Sequence, residues 1–142
     1  SVAPEAFDIL ALGEPLWRDF AREIDRVPLR LDDQAYFICD IISESEQQLR
    51  AWLMPALCVS GYAQLPEGWC AERRAASLDA VFRHRGGGRA WEYTLHYVFG
   101  SWLGESGRTL SELPVIYRFD PAHAPFTDDP RLEMWLGLKE GG

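Results

Sequence analysis

Three histidines, three cysteines and two adjacent aspartate pairs are the side chains of this chain best suited to chemistry. His84, His96 and His123 have no serine or cysteine at a recognisable nucleophile–base spacing. No GxSxG elbow is present, the turn that would expose a nucleophilic serine above a sheet. Ser43 precedes Glu46 by three residues, which is the spacing of a capping box, so a helix start explains it. HxH, HExxH and CxxC are all absent, so no zinc-ligand pattern can be read. Cys39, Cys58 and Cys70 are odd in number and irregularly spaced. That excludes a disulfide framework and fits a reducing, cytoplasmic compartment. No catalytic, metal or cofactor residue is expected.

Paired carboxylates do acid–base work when their surroundings push their pKa values apart. Asp32-Asp33 and Asp128-Asp129 stand instead in turn-like contexts, where turn and cap chemistry accounts for them. Asp40 and Glu92 lie within runs of β-formers and are the better acids. One basic cluster, Arg83-His84-Arg85-Gly86-Gly87-Gly88-Arg89, has the glycines and guanidiniums that cradle an anion. Its spacing matches neither a GxxxxGKS/T loop nor GxGxxG.

The charge balance narrows the function classes. The net charge is −8, with −7 in residues 1–70, +2 in 71–118 and −3 in 119–142. A protein that binds duplexes gains affinity by neutralising phosphates, so general nucleic-acid binding is disfavoured. An anionic membrane surface is disfavoured for the same reason. A basic protein partner is compatible, because opposite fields speed association. Thirteen of the fourteen basic residues are arginine, a usage that points to a GC-rich bacterial genome.

These residues must be positioned by elements, and the pattern predicts an α+β domain spanning 1–142. A first helix starts near Pro15, carries Leu16, Phe20 and Ile24 on one stripe, and ends at Pro28. A shorter turn of helix over residues 4–12 precedes it, stopped by Gly13. Residues 35–42 read as a strand. A second helix starts at Ser43, with Leu49, Trp52 and Leu53 on one face and Pro55 at its end. Residues 56–65 fit a strand or a helix. Residues 78–84 and 89–99 read as a long hairpin around Gly86-Gly87-Gly88. Trp91, Tyr93, Leu95, Tyr97 and Phe99 alternate strictly there and would form one aromatic face. Residues 115–119 form a further strand, and 130–138 a short helix, although their alternation also permits a strand. The expected architecture is an antiparallel sheet of four to five strands with two to three helices on one face.

No stretch is long and apolar enough to span a membrane as a helix, and the first residues show no leader pattern. The six tryptophans are many for 142 residues. Trp17, Trp52 and Trp91 fall on core faces, while Trp69 and Trp102 fall in or beside loops, where aromatics serve interfaces. Together these features point to a non-catalytic interaction module, an acidic inhibitor of the immunity or antitoxin kind. Its carboxylates would block a basic effector or enzyme, through a surface of Asp32, Asp33, Asp40, Glu44, Glu46 and Trp69. The alternative is a small-ligand domain or enzyme with a pocket between sheet and helices, flanked by His96, Glu92 and Tyr93.

Overall fold

The computed structural model describes residues 9–43, 49–61, 64–87 and 89–140. In chain order the elements are α1 (Ile9–Ala21), a 3-10 turn (Ile24–Arg26), β1 (Ala35–Ser43), β2 (Leu49–Ala56) and β3 (Leu78–Arg85). A helical segment follows: α2 (Arg89–Leu95), a π-helical stretch (His96–Trp102) and α3 (Leu103–Ser106). The chain closes with β4 (Val115–Phe119), a 3-10 turn (Pro121–His123) and β5 (Arg131–Leu138). The five strands form one sheet in the order β2-β1-β4-β5-β3, every neighbouring pair antiparallel. The expected α+β class with an antiparallel sheet holds, with two helical segments among the described residues where two to three were expected.

One face of the sheet is the core. Phe37, Tyr117, Phe119, Met134 and Leu136 alternate along β1, β4 and β5 and are buried together. Each such side chain contributes about 1.5–3 kcal/mol by leaving water. α1 sets Trp17 against Phe37 and Phe119, with ring centroids 6.2 and 5.2 Å apart. The second helical segment sets Trp102 edge-on against Phe82 of β3 at 4.9 Å. Both helical segments therefore lie on the same face.

Four sequence expectations are corrected. α1 does not stop at Gly13 or start at Pro15; it runs through both. The glycine is there for close approach: a Cβ would lie 2.9 Å from Phe126 and 3.1 Å from Leu53. Residues 49–56 form a strand, not the second helix. Leu53 packs toward the core while Trp52 is exposed, a period of two and not 3.6. β2 is an edge strand, so Pro55 need not supply a ladder hydrogen bond. The capping-box partner Glu46 lies outside the described residues.

The long hairpin is also absent. β3 ends at Arg85 and pairs with β5, and residues 89–99 are helical. Ala90, Thr94, Val98 and Trp102 stand four apart and face inward, with Val98 fully buried. A strict four-residue repeat drifts on a helix of 3.6 residues per turn, and the wider π winding keeps such a stripe on one side. That inward stripe outweighs the period-two aromatic alternation, and Tyr93, Tyr97 and Phe99 are left exposed. Finally, residues 131–138 form β5 and not a helix. Leu132, Met134 and Leu136 are buried while Arg131, Glu133 and Trp135 face the other way. Central position between β4 and β3 selects the strand.

Candidate functional site

The face of the sheet turned away from the helices can be read row by row from its register. One row crosses the whole sheet as Met54, Ile38, Ile116, Trp135 and Val81. The next row runs Ala56, Tyr36, Arg118, Glu133 and Arg83. Beyond it Arg131 of β5 stands directly opposite Arg85 of β3. Arginine thus accumulates at one end of the face, where β4 and β3 finish and β5 begins. A cleft of about 410 Å³ opens there. Arg83, Arg85, Arg118 and Arg131 line it together with the carboxylates Asp120 and Glu133 and with Gln34, His84 and His123.

A hydrogen-bond network fixes one side of this cleft. The Arg118 Nε donates to the Tyr36 hydroxyl at 3.2 Å, and its Nη1 donates to Glu133 at 3.3 Å. The Tyr36 hydroxyl donates onward to Asp32 at 2.7 Å. Burial, and then the bond to Asp32, push the Tyr36 phenol up to about 12. Glu133 also accepts from the Trp135 indole at 3.2 Å. On the other side Asp129 accepts from Arg131 at 2.7 Å and sits 3.5 Å from Arg85. The bond from Arg131 holds the Asp129 carboxyl below the usual carboxylate range. Asp129 is thus not a helix cap, as expected from sequence, but a bridge between guanidiniums. The His123 Nδ1 donates to the Asp129 carbonyl at 3.0 Å.

His84, at the inner wall of the cleft, belongs to the helix-covered side of β3 and is buried. Its ring bonds the Gly86 carbonyl at 2.6 Å through Nε2 and the Thr94 hydroxyl at 2.7 Å through Nδ1. A carbonyl only accepts, so Nε2 carries a proton and is donor there. This histidine ties β3 to α2. His96 lies exposed on the π-helical stretch and not on a hairpin strand. Neither His96 nor Tyr93 lines the cleft or the smaller pocket beside Trp69. Glu92 belongs to α2.

The residues expected to form an acidic partner surface fall in different places. Asp32 and Asp33 share the turn before β1. Asp32 is engaged, accepting from Tyr36 and from the Gln34 backbone N–H at 2.9 Å, while Asp33 is exposed. Asp40 lies near the far end of β1, opposite Trp52 and past the last β4 pair. Five strand residues separate it by about 17 Å from Ala35, where β1 leaves that turn. Trp69 is half-buried against Phe20, with centroids 5.1 Å apart. Glu44 and Glu46 lie outside the described residues. Trp52, expected in the core, is exposed on the face turned away from the helices.

Sequence reasoning found Arg83 and Arg85 but missed Arg118, Arg131, Glu133 and His123. The signal available was a charged residue at the outward positions of two strand candidates. Which strands would be neighbours was not readable, and the cleft exists only through that adjacency. Among the described residues, no three His, Cys, Asp or Glu side chains are grouped to hold a metal ion. Comparison with protein-family models gives no match, and no curated protein matches the chain. The functional reading therefore stands on the geometry.

Proposed function

We propose that the protein is a non-catalytic binding module for a basic protein partner, an inhibitor of the immunity or antitoxin kind. The observation that carries this reading is a pair of tyrosines one turn apart on the second helical segment. Tyr93 is 69% exposed and Tyr97 is 55% exposed. Gly100, another turn on, has nothing within 4 Å of where a Cβ would stand. Two rigid rings beside a flat patch suit a partner surface, since tyrosine gives contact area at low entropic cost. The net charge of −8 favours a basic partner by raising the encounter rate. Asp33 and the exposed carboxylates of α1 contribute to that field, although Glu14 is paired with Arg18 at 2.8 Å.

The test compares proteins retained from a cell lysate by the wild-type chain and by a Tyr93→Ser/Tyr97→Ser variant. Both tyrosines are exposed, so circular dichroism of the variant should match the wild type. The expected result is a basic protein held in stoichiometric amount by the wild type, with affinity falling about 30-fold or more in the variant. An acidic partner, or equal retention by both chains, would overturn the proposal.

A further inference from the structure

We propose that the arginine cleft is a binding site for a small phosphate-bearing ligand. This inference does not depend on the protein-partner reading, because the cleft is built from strand ends and the tyrosines stand on a helix. Three features carry it. The first is an imbalance of donors over acceptors. Arg85 and Arg131 face each other across adjacent strands, an arrangement that is destabilising for like charges. One carboxylate, Asp129, serves both.

The second feature is Arg83. It stands opposite Glu133, yet the Glu133 carboxylate accepts from Arg118 and Trp135. Among the described residues Arg83 has no hydrogen-bonding or ionic partner, and it is exposed at the cleft. All five of its N–H donors, and the terminal nitrogens of Arg85, are therefore available to an oxyanion. Guanidinium forks match phosphate oxygens two at a time, so the open forks of Arg83 and Arg85 suit a dianion, with Arg131, whose Nε and Nη2 are held by Asp129, adding its charge and Nη1.

The third feature is size and lining. About 410 Å³ falls within the range of small-molecule sites. Among the described residues no Tyr or Trp lines the cleft and Phe119 is almost wholly buried, so the partly exposed His123 ring is the one surface there on which a base could stack. Recognition is polar: phosphate on Arg83, Arg85 and Arg131, with Gln34 and His123 at the rim for a hydroxyl-bearing remainder. A long nucleic-acid strand would be repelled by the acid carried elsewhere on the chain.

Isothermal titration calorimetry of the full chain at low ionic strength provides the test. The probes are inorganic phosphate, pyrophosphate and glycerol phosphate, with sulfate and chloride as anion controls. The expected result is one saturable site for a phosphate probe, about tenfold or more tighter than sulfate. Arg83→Gln and Arg85→Gln should each weaken it about tenfold with an unchanged melting temperature. Tightest binding of pyrophosphate would identify a diphosphate ligand, and tightest binding of glycerol phosphate a phosphomonoester; either supports the site. No saturable heat, equal binding of sulfate, or undiminished binding by both variants would overturn it. Retention of the protein partner is read separately, and these arginine variants should leave it unchanged.

Discussion

The two faces of the sheet are made from alternate residues of the same strands. Tyr117 and Arg118 are neighbours on β4, as are Met134 and Glu133 on β5. On the helix-covered side Phe37, Met134 and Leu136 lose essentially all their exposure, and hydrophobic burial holds the strands to α1 and α2. On the other side the same backbone presents Tyr36, Arg118 and Glu133, tied by hydrogen bonds and half-open to water, in one row with Arg83, exposed and unbonded among the described residues. The first face carries the stability. The second is free to carry charge in numbers that a core would not tolerate. The difference shows how one strand serves a packed core and a charged surface at once.

The sharpest way to break this contrast is to shorten one side chain on each face. Phe37→Ala on the covered face should cost about 3–5 kcal/mol in urea unfolding. Val81→Ser on the open face, where Val81 is 47% exposed, should stay within about 0.5 kcal/mol. Comparable losses at both positions would mean that the open face is covered in solution.

A smaller effect probes how closely α1 is seated on the covered face. Helix propensity alone favours Gly13→Ala by about 1 kcal/mol. The new Cβ would press on Phe126 and Leu53, and overpacking costs about 1–3 kcal/mol. The expected outcome is a net loss of stability in thermal unfolding. A gain would show that Phe126 yields and that α1 is loosely held.

The smallest effect belongs to the open face and is electrostatic. Asp129 has its pKa depressed in the folded chain, first by its hydrogen bond from Arg131. Its stabilisation is therefore present above the ordinary carboxylate pKa and is lost as the pH falls through the depressed folded value. Asp129→Asn should lower the melting temperature slightly at neutral pH and low salt. The gap from wild type should close in acid and shrink with added salt. A gap that persists in strong acid would assign the effect to packing.

Much of the sheet was legible in the sequence. Residues 35–42, 78–84 and 115–119 are rich in β-branched and aromatic side chains, and each became a strand. Of the expected stripe Leu16, Phe20 and Ile24, the last two are buried, while Leu16 is 42% exposed and its neighbour Trp17 packs on the core instead. The segment around Tyr93 misled because two periods are superimposed there. The aromatics alternate by two, while the smaller Ala90, Thr94 and Val98 repeat by four. Large rings dominate a reading by hydrophobicity, but the packed interior under β3 accepted the narrower stripe. Residues 49–56 misled in the opposite sense, since i, i+3 and i+4 spacing also occurs in a strand that hides only one face.

Composition and local pattern by themselves determined the class, the antiparallel sheet, the acidic balance and the absence of a catalytic or zinc motif. Only the tertiary structure decided that β3 pairs with β5 and β5 with β4. That pairing brings Arg85 against Arg131 and leaves Arg83 without a carboxylate of its own. The physical reason is that strand propensity is a property of a few adjacent residues, whereas strand neighbours are chosen by how the whole apolar face closes over its helices. A cleft built across three strands is a property of the second kind.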